Sequence, residues 1–239
     1  MKIFNEYISE NLKQFREEMS ISIDNISKLL GMSNRRYIFF ENTGITLTHR
    51  IIYFCLKFNV LLDWLVGLIN ENTYLDIDNS YLNFLNNYSI NDIDMYEFQC
   101  LIHNIVAKRL TIFRRSENIL FIELTEVSGF SSSSSCGIAR YASNPKLGKK
   151  NIILTIDRSY EISRSCGVSL DWLYGLSNEM YLRIDNIDKH CDDNIFKNKL
   201  YYTLYGHFLH KLMNYRINKK FSRIYFSRIL TCVCSVYNN

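Results

Sequence analysis

The run Asp63-Trp64-Leu65-Val66-Gly67-Leu68 returns as Asp171-Trp172-Leu173-Tyr174-Gly175-Leu176, 108 residues further along the chain. Upstream, Leu12, Phe15, Arg16, Ile26, Gly31 and Ser33 match Leu110, Phe113, Arg114, Leu124, Gly129 and Ser131 at a steady offset of 98. Two ordered blocks at consistent offsets point to an internal duplication. A chain of 239 residues built this way is predicted to hold two small domains and an extension rather than one large domain. The second copy carries ten additional residues, around Arg140 to Asn151, where Pro145, Gly148, Lys149 and Lys150 read as a loop.

Periodicity makes the copies helical. Ile8, Leu12 and Phe15 form one apolar stripe, and Ile26, Leu29 and Leu30 form another. Gly31 is placed for a left-handed helix end, and Ser33 for the cap of a new helix reaching about Glu41. Helix, glycine turn and helix make up the helix-turn-helix grammar. Thr46 or Thr48 is the candidate cap of a fourth helix, with Ile51, Ile52, Cys55 and Phe58 inward. A short final helix holds Asp63, whose charge suits the first turn of its own helix. A single proline and nine glycines leave few breakers, in keeping with an all-α chain. Trp64 and Trp172 are expected in the core. Tyr81 to Leu85 and Met95 to Phe113 read as helices joining the copies. In the tail, Phe196, Leu200, Leu204, Phe208 and Leu212 recur every four residues as an amphipathic stripe.

The segment from Ser22 to Ser33, Ser22-Ile23-Asp24-Asn25-Ile26-Ser27-Lys28-Leu29-Leu30-Gly31-Met32-Ser33, resembles the first helix and turn of the motif in phage-repressor-like (XRE) proteins. Ile38 to Asn42 resembles the end of that family's recognition helix. Asn59 to Gly67 and Cys166 to Gly175 resemble its closing segment. The resemblance implies two tandem lambda-repressor-like five-helix domains: copy one at 1–75, a helical linker at 76–100, a divergent copy two at 101–182, and a basic helical extension at 183–239. It also implies a transcriptional regulator that binds double-stranded DNA, with no catalytic residue, metal or cofactor.

In a helix-turn-helix the start of the second helix reaches base edges in the major groove. That position holds Ser33, Asn34, Arg35, Arg36, Ile38 and Phe39 in copy one. Arginine pairs with guanine and asparagine with adenine. Copy two offers Ser132, Ser133 and Ser134, with Lys149 and Lys150 in its loop for phosphate. The family usually carries a glutamine at Ile23 and often an arginine at Phe39. Phe39 and Phe40 are adjacent and cannot both face the core, so one is expected at the surface. These departures, with the serine run, leave open an alternative: a protein-interaction or dimerisation module, antitoxin-like or regulator-binding, that keeps the fold without reading DNA.

Charge is uneven. From Ile195 onward there are eight Lys or Arg and no Asp or Glu, against 20 basic and 24 acidic residues elsewhere. The tail is therefore expected to meet an anionic partner, to dock on an acidic surface of the chain, or to form a homodimer. The most apolar stretch, Ile51 to Ile69, is broken by Lys57, Asn59 and Asp63, so no membrane span is expected. The polar start gives no signal-peptide pattern, and seven scattered cysteines give no disulfide framework, which favours the cytoplasm. Cys232-Val233-Cys234, His190-Cys191 and the His207/His210 pair lack zinc-site spacing. No Walker loop, dinucleotide fingerprint or nucleophile elbow is present, so an enzyme is not expected.

Overall fold

The computed structural model describes residues 4–69, 76–86, 94–129, 154–182 and 211–218. Among these the chain is mostly helical with no strand; one isolated antiparallel bridge pairs Val168 with Tyr181. The all-α expectation holds.

The first copy contains α1 (Phe4–Glu18), α2 (Ile23–Leu29), α3 (Asn34–Thr43), α4 (Thr48–Phe58) and α5 (Leu62–Leu65). On α1, Ile8, Leu12 and Phe15 are buried, four and three residues apart on one face. Ser22 Oγ accepts from the Asn25 N–H to open α2, and Ser33 Oγ accepts from the Arg36 N–H to open α3. Between them Gly31 takes φ +60°, as a left-handed helix end requires. The fourth helix departs from expectation. Its cap is Leu47, with no side-chain bond, so neither Thr46 nor Thr48 closes that end.

Gly44 ends α3 at φ +67°. A β-carbon there would stand 2.1 Å from the Asn5 carbonyl oxygen, so the loop after α3 lies directly on the backbone of α1. Gly44→Ala is expected to destabilise the protein by more than about 1 kcal/mol, because strain and a backbone clash add. Urea unfolding checks this; a neutral result would mean that the loop is not seated on α1.

Next come α6 (Asn79–Asn86), α7 (Met95–Ser116), α8 (Phe121–Val127), α9 (Ile156–Cys166) and α10 (Leu170–Leu173). The 22-residue α7 runs unbroken through residue 100. Val106, Leu110 and Phe113 on α7 are buried like their counterparts Ile8, Leu12 and Phe15 on α1. The likeness extends to polar contacts. Asn11 Nδ2 donates to the Trp64 carbonyl at 2.8 Å, and the matching residue, Arg109, donates to the Trp172 carbonyl at 2.6 Å. Gly67 lies against Tyr7 and Gly175 against Ile105, again matching positions. Both tryptophans are buried, as expected.

The copies meet through α5 and α10, and here Asp63 departs from its expected role. Asp171 Oδ1 accepts from the Leu62 N–H at 2.6 Å and Oδ2 from the Asp63 N–H at 3.1 Å. In return, Asp63 Oδ1 accepts from the Leu170 N–H at 2.8 Å and Oδ2 from the Ser169 hydroxyl at 2.6 Å. Each aspartate thus serves the opening of the other copy's helix, not that of its own. The carboxylates are 3% and 2% exposed. Burial pushes both above the ordinary carboxylate range, Asp171 further because Asp63 stands beside it. Ionising both carboxyls is therefore disfavoured, and they titrate as a coupled pair.

At the far end, residues 211–218 form a helix with Leu212 buried. Arg216 holds Glu123 through two bonds, at 2.8 and 3.0 Å, and also donates to the Asn118 carbonyl. Glu123 in turn accepts from the Leu120 N–H at the start of α8. Part of the basic tail therefore docks on an acidic group of the second copy. Phe196, Leu200, Leu204 and Phe208 lie outside the described residues.

Candidate nucleic-acid interface

The face of α3 is set by which side chains its core takes. Tyr37, Phe40 and Glu41 point inward, which leaves Arg35, Arg36, Ile38 and Phe39 outward. Phe40 is 1% exposed and Phe39 55%, so the adjacent phenylalanines split between core and surface as their spacing demands.

A buried ion pair braces the helix from behind. Glu41 accepts from Arg16 Nε at 2.6 Å and from the second guanidinium nitrogen at 3.2 Å. It also accepts from the Tyr37 hydroxyl at 3.0 Å, and Ser9 Oγ donates to its carbonyl. Burial, with the Glu41 charge, pushes the Tyr37 phenol well above its ordinary value. These bonds tie the C-terminal half of α3 to α1.

In front of α3 lies a groove of about 680 Å³, closed on the far side by the α3–α4 loop. Ser33, Arg35, Arg36 and Phe39 line one wall, and Leu47 and Arg50 the other. No carboxylate lines it among the described residues. No acid pairs with Arg35 or Arg36 among those residues either, and both arginines are exposed. Arg50 Nη1 donates to the Leu30 carbonyl at 2.6 Å, tying off the end of α2 while its charge faces the groove. Burial, and then the nearby Arg36 charge, pull Arg50 below its ordinary value.

Asn34 is placed differently from its neighbours. Its side-chain oxygen accepts from the Ser27 hydroxyl, and its amide nitrogen stands 3.4 Å from Asp24. The amide is therefore engaged within the α2–α3 turn. Ile23 is half-buried against the core. Ile38, Ile45 and Leu47 join Phe39 at the surface, Leu47 at 64% exposure. Arg50 was not among the residues singled out from sequence. Its signal was an arginine heading an otherwise apolar helix with no acid nearby. Ser132, Ser133, Ser134, Lys149 and Lys150, with Cys232, Cys234, His190, Cys191, His207 and His210, lie outside the described residues.

Among the described residues copy two shows no such brace. Arg114, the counterpart of Arg16, donates to the Ile119 carbonyl at 3.3 Å and lies 5.1 Å over the Phe121 ring.

Comparison with protein-family models, curated proteins and solved structures finds no match to this chain. Among the described residues, no helix is long and apolar enough to cross a membrane.

Proposed function

We propose that the chain is a cytoplasmic transcriptional regulator that binds duplex DNA, built as tandem helix-turn-helix domains of the phage-repressor type. The observation that carries this reading is the acid-free groove with Arg35 and Arg36 at the start of a capped, braced helix. Arg35 and Arg36 reach base edges or phosphates. Ser33, the start of α3 and Arg50 hold the backbone. Ile38 and Phe39 lie against apolar base edges. Asn34 holds the turn rather than a base, since its amide is already engaged. Copy two and the tail supply assembly or non-specific affinity, including through a homodimer.

Random-sequence selection followed by gel shift tests this. A recovered motif is expected, and Arg35→Ala with Arg36→Ala should flatten it. Each good bidentate contact discriminates by about 1–3 kcal/mol. A double variant that keeps its sequence preference would mean that another surface reads.

The exposed Ile38, Phe39, Ile45 and Leu47 favour a second reading, in which the same groove grips an acidic, apolar protein segment. No enriched DNA sequence, together with a stoichiometric protein partner lost on Phe39→Ala, would establish that reading instead.

A further inference from the structure

The groove in front of α3 is rich in donors and apolar surface and poor in acceptors. We propose that it reads guanine and thymine, the thymine through its 5-methyl group against the ring of Phe39, which makes Phe39 a specificity-determining residue. This specificity rests on the chain being a DNA-binding regulator and says which base edges its reading surface takes.

The lining decides which edges fit. Arg35, Arg36 and Arg50 bring donors and no acceptor. Phe39, Ile45 and Leu47 bring exposed apolar surface. No carboxylate lines the groove among the described residues. The Ser33 hydroxyl already accepts from the Arg36 N–H. Asn34, at the start of α3, is engaged with Ser27 and Asp24. Asn42 is exposed, but it stands at the far end of α3 and outside the lining.

In the major groove each base shows its own pattern. Cytosine shows an amino donor, which needs an acceptor. Adenine shows an acceptor beside an amino donor, which needs a group that both gives and takes. Guanine shows two acceptors, which a guanidinium fills. Thymine shows one acceptor beside a methyl group, which a donor and an apolar ring fill together. Each base pair is then read from its guanine or its thymine side. The Thr46 hydroxyl can serve either kind of partner and so selects neither.

Spacing sets the two contacts side by side. Phe39 lies three residues from Arg36 and four from Arg35, so the three are neighbours on one face of α3. Along the helix axis that is about 4.5–6 Å, or one to two base-pair steps of about 3.4 Å. Tyr37, Phe40 and Glu41 hold the other face in the core, which keeps the Phe39 ring outward.

Replacing thymine by uracil tests this, because it removes the methyl group and leaves the pairing edge unchanged. Random-sequence selection on the full chain supplies the duplex. The motif is expected to hold guanine with a thymine one or two steps away. Uracil at that thymine should weaken binding about fourfold, the worth of one buried methyl group. Phe39→Ala should bind more weakly and take the thymine and uracil duplexes equally. Phe39→Leu, which keeps apolar surface at the same position, should still prefer thymine. Equal binding of the two duplexes by the unaltered protein would overturn the methyl contact and leave DNA reading standing. A thymine preference that survives in Phe39→Ala would overturn the role of Phe39. No enriched sequence at all would overturn the specificity together with the DNA reading beneath it.

Discussion

Asp171→Ala is expected to cost about 3 kcal/mol or more of unfolding free energy, measured by denaturant titration. The substitution strands the Leu62 and Asp63 N–H groups in a buried contact, and each buried unsatisfied donor costs about 1–3 kcal/mol. Asp171→Asn should be milder, since it keeps one acceptor and removes the charge. The variants also separate in pH. Both carboxyls are raised in the folded protein, so the folded state holds protons that the unfolded state releases. Their contribution is complete below the unfolded value of 3.8 and is lost as pH rises through the raised folded value. Wild type should therefore lose more stability than Asp171→Asn as pH rises from 4 toward neutrality. Parallel curves for the two proteins would count against a raised Asp171 carboxyl.

Glu41→Ala is expected to cost a similar amount, about 3 kcal/mol, at the low end for a broken buried pair because Arg16 retains some contact with water. The change leaves the Arg16 guanidinium with only its longer contact to Glu17, at 3.8 Å, and orphans the fully buried Tyr37 hydroxyl. Glu41→Gln should recover part of the loss by keeping one oxygen for Tyr37 or Arg16. A loss below about 1 kcal/mol for the alanine variant would show that α3 is held by its apolar face alone. The effect belongs to copy one, because Arg114 rests on a carbonyl and a ring instead of a carboxylate.

What the sequence made legible is what short-range rules govern. The stripe of Ile8, Leu12 and Phe15, the Ser33 cap, the left-handed Gly31 and the split between Phe39 and Phe40 all follow from spacing within one or two turns. Arg35 and Arg36 were singled out by their place at the start of the motif's second helix, and the burial of Tyr37 and Phe40 leaves them on its outer side. The Asp63–Asp171 exchange was hidden: its partners lie about 108 residues apart, and either aspartate alone reads as an ordinary first-turn acid. Its one trace was an acid conserved between the two copies within an apolar run. Asn34 misled for a related reason. An asparagine at a helix start looks free until Ser27, seven residues back in α2, is brought against it. The α4 cap failed because Leu47, not a threonine, ends up at the boundary.

The crossed aspartates also bear on abundance. Two-fold contacts in most proteins form between separate chains, and they come apart on dilution. Here the matching surfaces belong to one polypeptide, so their meeting is a first-order event whose effective concentration is set by the chain between them. The paired form is therefore the same in a cell holding one copy as in a cell holding thousands. The internal pairing therefore adds no second power of gene dosage; that dependence enters only through the proposed homodimer.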